Sequence, residues 1–242
     1  MFGRLTLPSQ RQGRQRGAVS VSSRKRKIWI LLVAFLLLLG LFLFYRAAKH
    51  VPEFYRQARV SSARQEQQFG EEFKQQLVDL QTDLEKNQRF ETILSEDQIN
   101  GWLATTVAQQ HAHRLPSGMR DPRVAIQQGE VKVGSHFRRG KIDTVVWLVA
   151  DLKLNDKNNV LEIRLRGLKA GLIPFSIERF QEQITSSLTR AKLKITWVED
   201  AEEVTARIQL PERFEGLEGK SVQFERIELQ SGGLLFSGRA RK

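Results

Sequence analysis

The 242-residue chain contains no cysteine and only four histidines. Without cysteine there are no disulfides, thiolate metal sites or cysteine nucleophile, so the fold must rest on apolar burial. The GxSxG elbow, the HExxH pair and the dinucleotide-binding glycine pattern are also absent. His111 and His113 stand two apart, facing different directions on a helix, and no third ligand is identifiable; no metal site is expected. Gly219-Lys220-Ser221 has the ending of a phosphate-binding loop, but Phe214 stands where its first glycine belongs and alternating strand sequence follows. Glu199, Asp200, Glu202 and Glu203 lack calcium-loop spacing and read as a solvated hairpin turn. No cofactor is implied, and the chain reads as a non-enzyme.

Acidic residues are missing from the start of the chain, and none precedes Glu53. Residues 1–27 instead hold eight basic residues, Arg4, Arg11, Arg14, Arg16, Arg24, Lys25, Arg26 and Lys27, which leaves only +4 of the net +12 charge for everything after residue 45. A basic stripe on a soluble domain would suggest nucleic acid; charge concentrated beside a span is a topology signal, and no nucleic-acid partner is expected. The span is Ile28 to Tyr45, IWILLVAFLLLLGLFLFY, without a charged residue and long enough for a bilayer core of about 30 Å. Trp29 and Tyr45 sit at its ends, as interface aromatics do.

The excess of Lys and Arg on the amino side places that side in the cytoplasm and the rest of the chain across the inner membrane. A cleaved signal peptide is the competing reading. The apolar run exceeds that design and lacks a small-x-small site before Arg46, so an uncleaved anchor is expected.

Four regions follow: a basic tail, 1–27, with the composition of a disordered segment; a transmembrane helix, 28–45; a helical stalk or packed first helix, 46–91; and an extracytoplasmic α+β domain, 92–242. In the third region Phe69, Phe73, Leu77, Leu80 and Leu84 recur at helical spacing. That stripe, residues 69–84, is a candidate homodimer face, although it covers only about two heptads.

LSEDQINGWLA, residues 94–104, places two acids beside a polar pair, which raises the question of an acidic active site. With Ser95 as N-cap, Gln98 falls at N3 and completes a capping box, while Leu94 and Ile99 are placed as a staple. Glu96 and Asp97 then occupy the first turn, where the helix dipole favours negative charge. No second catalytic acid converges on them, so the cluster reads as a helix start.

Beyond HRLPSGMRDP (113–122) the period changes to two. Val124, Ile126, Val131 and Val133 make a hairpin around Gln128-Gly129. Ile142 to Leu154 is a strand apolar on both faces through its middle: one face runs Ile142, Thr144, Val146, Leu148, Ala150, Leu152, Leu154, the other Val145, Trp147, Val149. Its second face must meet a helix, another sheet or a ligand. After the turn NDKNN comes a one-sided strand through Leu161, Ile163 and Leu165, then an amphipathic helix through Ile177, Phe180, Ile184 and Leu188, then further strands with a bulge expected between Phe224 and Ile227. The fold class is α+β: an N-terminal transmembrane helix and helical stalk, then an antiparallel sheet packed on amphipathic helices.

The order of a capped helix carrying SEDQINGWL, long alternating strands, and VLEIRLRGLKAGLIPFSIERFQEQI with its Gly171-Leu172-Ile173-Pro174 turn resembles the YpmS-like family of bacterial membrane-anchored proteins. The extracytoplasmic domain of that family is similar to the tubular lipid-binding superfamily. The resemblance covers about residues 92–242 and does not extend to the Arg-rich tail. It implies a curved sheet around a helix, with an apolar groove for an acyl chain and no catalytic residues.

Candidate groove residues are Trp102, Leu103, Val145, Trp147, Val149, Phe180 and Ile184, since an acyl chain needs a dry apolar slot. The expected function is a membrane-anchored envelope protein that handles lipid. The alternative is an envelope assembly protein that binds another protein through a sheet edge.

Overall fold

The structure, a computed structural model, describes residues 23–58, 62–86, 89–190, 192–200, 203–213 and 219–241. The chain forms two compact units, Met1–Phe44 and Tyr45–Lys242. The described part of the first is helical. It belongs to α1 (Ser23–Ala48), within which Trp29–Ala48 is long and apolar enough to cross a membrane and has none of its residues buried. That is compatible with a membrane anchor or a signal segment.

The second unit begins at the end of α1 and continues through two short-linked helices, α2 (Glu53–Gln57) and α3 (Ala63–Lys86). Pro52 stands directly before α2, where its fixed φ suits a helix start. Helix α4 (Glu96–Trp102) opens at Ser95 with both halves of the capping box formed: the Gln98 N–H donates to Ser95 Oγ and the Ser95 N–H to Gln98 Oε1. It runs on as π-helical turns, Leu103–Gln110. The short strand β1 (Arg89–Ser95), which helical periodicity upstream conceals, precedes it.

Two antiparallel sheets follow. One has three strands in the order β1, β10 (Gly233–Arg241), β9 (Ser221–Gln230). The other has seven, in the order β2 (Met119–Gln127), β3 (Glu130–Arg139), β4 (Ile142–Asn155), β5 (Val160–Ala170), β8 (Glu203–Gln209), β7 (Lys194–Asp200), with β6 (Ile173–Phe175) pairing the end of β5. Helix α5 (Glu178–Arg190) lies between β6 and β7 in sequence.

The bulge in β9 is present where the phase change indicates. Arg226 pairs Ser237 and Phe224 pairs Gly238, leaving Glu225 as the extra residue. A second bulge in β5 puts Gly167 opposite Val149 and Leu165 opposite Ala150, with Gly167 at φ 150°.

Helix α3 packs on the three-stranded sheet through Leu80 and Leu84, which join Phe90, Val222, Phe224, Phe236 and Ala240. It also crosses α4, where Phe73 stacks on Trp102 at 5.1 Å between ring centroids. The stripe on α3 is therefore turned largely onto its own unit, leaving Leu77 exposed at 41%.

Two asparagines close strand edges by acting as a neighbouring strand would. On α4, fully buried Asn100 donates from Nδ2 to the Val124 carbonyl and accepts the Val124 N–H at Oδ1, both at 2.9 Å. Asn159, held at φ 53° at the end of the β4–β5 turn, donates to the Val222 carbonyl at 2.9 Å and accepts the Phe224 N–H at 2.8 Å, tying β9 to the larger sheet.

Asn100→Ala would leave two backbone groups of β2 buried without partners, at about 1–3 kcal/mol each. The expected result is a loss of about 2–4 kcal/mol in urea denaturation, with hydrogen exchange at the Val124 amide accelerated ahead of the other β2 amides.

Candidate functional site

Cross-strand register defines one apolar face of the seven-stranded sheet. On β4 it holds Val146, Leu148, Ala150, Leu152 and Leu154, opposed on β5 by Ala170, Leu168, Leu165, Ile163 and Leu161. The face continues through Val204, Ala206 and Ile208 on β8 and Trp197 and Ile195 on β7. On the other side it continues through Val133 and Val131 on β3 and Val124 and Ile126 on β2. Residues sharing a face in six neighbouring strands make a continuous apolar surface.

Cover over this inner face is partial. Ile177, at the start of α5, is buried with Val146 and Leu168, and Phe180, Phe175, Phe137 and Met119 pack around them. Phe175 and Phe180 stand 5.6 Å apart between centroids. Helix α5 is fastened at the edge by two polar contacts to β7, Trp197 Nε1 to Thr185 Oγ1 at 2.9 Å and Gln181 Nε2 to Glu199 at 3.1 Å. Leu148, Leu152, Leu161, Ile163, Leu165 and Trp197 remain half-buried.

The opposite, outer face differs along its length. Over β5, β8 and β7 it is polar, with Arg207 paired to Glu162 at 2.9 Å and Arg166 to Asp151. An open concavity of about 1300 Å³ lies there, lined by Lys157, Lys192, Lys194, Arg207 and Arg213 among others.

Over the middle of β4 the outer face is apolar, with Val145, Trp147 and Val149 opposed on β3 by His136, Gly134 and Lys132, and it is already covered. The two aromatics of α2 lie on it: Phe54 meets the Trp147 ring at 5.6 Å, and Gly134 gives them room, since a Cβ there would come within 2.9 Å of the Tyr55 ring. Trp147 donates from Nε1 to the Gly171 carbonyl at 2.7 Å and carries the Lys169 ammonium over its ring at 4.9 Å. The second apolar face of β4 thus meets a helix of only five residues.

The seven groove candidates fall in three places. Phe180 and Ile184 are on α5, with Phe180 against the inner face. Val145, Trp147 and Val149 are on the outer face of β4, with Val145 at 1% exposure. Trp102 stacks on α3, and Leu103 opens the π-helical turns. Sequence reasoning left Leu148, Leu165, Leu168, Phe137 and Phe175 off the candidate set. The signal for them is the one-sided pattern of β5, whose Leu161, Ile163 and Leu165 must share a face with the longer apolar side of β4.

Glu96, four residues before Asn100, accepts the Ile126 N–H at 2.7 Å, so one turn of α4 serves two residues of β2. Burial raises the Glu96 carboxyl above its ordinary 4.5, the Ile126 N–H opposes that rise, and the charge of Asp97 adds to it. A carboxyl with a raised folded pKa holds its proton more tightly in the folded state. Its stabilising contribution is complete below 4.5 and is lost as pH rises through the folded value. Glu96→Gln, which still accepts the Ile126 N–H, is expected to flatten that decline. The check is the urea midpoint of variant and parent across this pH range.

The two histidines stand 6.0 Å apart between centroids, edge to face. Among the described residues no group of three His, Cys, Asp or Glu side chains is arranged to hold a metal ion. Phe214, where the phosphate-loop motif fails, residues 201 and 202 between β7 and β8, and the basic tail up to residue 22 lie outside the described residues, whereas Glu199, Asp200 and Glu203 are paired strand-end residues of β7 and β8. Comparison with family models, curated proteins and solved structures gave no match.

Proposed function

We propose that the chain is a single-pass, membrane-anchored cell-envelope protein whose domain beyond the span holds lipid acyl chains on the inner face of the seven-stranded sheet, without catalysis. The observation that carries this reading is the continuous apolar face across β2, β3, β4, β5, β8 and β7, with half-buried side chains beyond the reach of the α5 cluster. Water against half-exposed Leu and Ile costs about 25 cal/mol per Å² of apolar surface, and an acyl chain removes that cost without requiring a polar partner. The reading also accords with the resemblance to the YpmS-like family and the tubular lipid-binding superfamily. The eight basic residues before the span favour an amino terminus in the cytoplasm and a domain outside it.

The test is photocrosslinking. The full chain in nanodiscs, loaded with a diazirine phospholipid and irradiated, is expected to carry crosslinks on β4, β5 and α5 as well as on residues 28–45. Leu165→Asp, which puts a carboxylate on the inner face, should reduce the sheet crosslinks at least about tenfold while leaving those on the span. Crosslinks confined to the span would overturn the proposal.

A second reading, a protein partner added to a sheet edge, is favoured by the contrast between the two outer strands. The edge of β2 is closed by Asn100 and Glu96, whereas β7 is the terminal strand at the other side. Crosslinking in intact cells from β7 positions would then trap a protein.

A further inference from the structure

Four exposed residues in sequence, Arg138 and Arg139 at the end of β3 and Gly140 and Lys141 in the β3–β4 turn, are followed by Ile142 at 59% exposure. The β5–β6 turn presents Leu172 at 54% exposure. Ile142 and Leu172 thus expose large aliphatic side chains at the turns of one sheet end, the first of them beside three cations.

Both turns are fixed to one short stretch of chain. The Leu172 N–H donates to the Ala47 carbonyl at 2.9 Å, and Thr144 Oγ1, two residues into β4 from Ile142, donates to the Ala48 carbonyl. Gly171, at φ 59°, is packed so closely on Ala47 and Ala48 that a Cβ would collide with both carbonyls. Ala47 and Ala48 are the last two residues of the apolar helix. Where that helix leaves the bilayer, these turns are within a hydrogen bond of its final residues.

We infer that the β3–β4 and β5–β6 turns rest on a bilayer surface bearing anionic headgroups, with Arg138, Arg139 and Lys141 on the phosphates and Ile142 and Leu172 in the interfacial layer. Apolar side chains ringed by Lys and Arg match a membrane interface, where the aliphatic part is buried and the cation meets phosphate. Asp143, opposite Arg138 in the strand register, is held by His136 at 2.7 Å, and among the described residues Arg138, Arg139 and Lys141 form no ion pair. Among the described residues lining the cationic concavity around Lys157 and Lys194, none hydrogen-bonds Ala47 or Ala48. The inference rests on the anchor reading and is independent of lipid on the inner face.

The absence of cysteine makes a single-label test direct. The full chain with Leu172→Cys, carrying an environment-sensitive fluorophore, is placed in nanodiscs of phosphatidylcholine with and without phosphatidylglycerol. The expected result is a blue-shifted label shielded from acrylamide in the anionic discs, while a label at Asp156→Cys in the β4–β5 turn stays wet in both. Changing Arg138, Arg139 and Lys141 together to Gln should lower the docked-to-undocked ratio roughly a hundred-fold, at about 1 kcal/mol per basic residue near an anionic leaflet, and high salt should act likewise. Equal quenching at Leu172 in both kinds of disc, or shielding unchanged by the triple substitution, would overturn the inference. Alkaline extraction of cell membranes separates the two ideas: a chain that washes off has lost the anchor reading, whereas one that stays embedded with a wet Leu172 label has lost only the docking.

Discussion

Gly101→Ala is expected to destabilise the second unit by at least about 2–3 kcal/mol, although alanine is the better helix former by about 1 kcal/mol. The reason is the crossing of α3 and α4. A Cβ on Gly101 would sit 2.7 Å from the Gly70 nitrogen and from Phe69 Cβ, and 2.8 Å from the Glu66 carbonyl. Two of those three contacts are backbone, so relief requires moving a helix, and the stacked pair Phe73 and Trp102 would move with it.

Gly70→Ala tests the same crossing from the other side. Its Cβ would meet chiefly Thr105 Oγ1, at 2.6 Å, the end of a side chain that can rotate away from its bond to the Gly101 carbonyl. The smaller loss, about 1 kcal/mol, should fall on Gly70. Urea denaturation of the full chain in detergent, followed by circular dichroism, reads both; equal losses would refute this account of the crossing.

Arg123 should be the most costly single position among the charged residues. Its side chain is 5% exposed and bridges Glu66 of α3 at 2.7 Å and Asp121 of its own strand at 2.8 Å. Asp121 stands at φ 48° and its carbonyl accepts the Tyr55 hydroxyl at 2.6 Å, so α2, α3 and β2 converge on this group. Arg123→Met removes the cation that bridges Glu66 and Asp121, and breaking such a buried pair costs about 3–5 kcal/mol. Much of that cost is the charge left behind. Adding Glu66→Gln should therefore restore a part of the lost stability, about 1–2 kcal/mol by double-mutant cycle. If the two losses simply add, Glu66 is not the partner that matters.

Local signals were legible in the residues and long-range ones were not. Ser95 and Gln98 are three apart and each satisfies the other, so the capping box can be read from the letters alone. The bulge at Glu225 shows as a slip in alternation, and the hairpin at Gly129 as a turn residue, here at φ 79°. Helix α5 follows from Ile177, Phe180, Ile184 and Leu188.

By contrast, Glu96 and Asn100 serve a strand 24 to 30 residues away, and nothing in their own neighbourhood announces it. Strand β2 starts before Pro122, through a register shift between Arg120 and Arg123 that breaks the alternation. The candidate groove divided because β4 is apolar on both sides. Choosing its binding face required knowing that Phe54 and Tyr55, far upstream in a segment read as stalk, already occupy the Trp147 side.

Strand β4 has a further consequence. It starts beside Ala48 and ends at Asn155, where the Asn159 turn joins the three-stranded sheet. Its fourteen residues cover up to roughly 43 Å, and every inner-facing one but Thr144 is apolar. That length is comparable with a whole bilayer, so an acyl chain held as proposed would lie along one strand from beside Ala48 to the Asn159 turn.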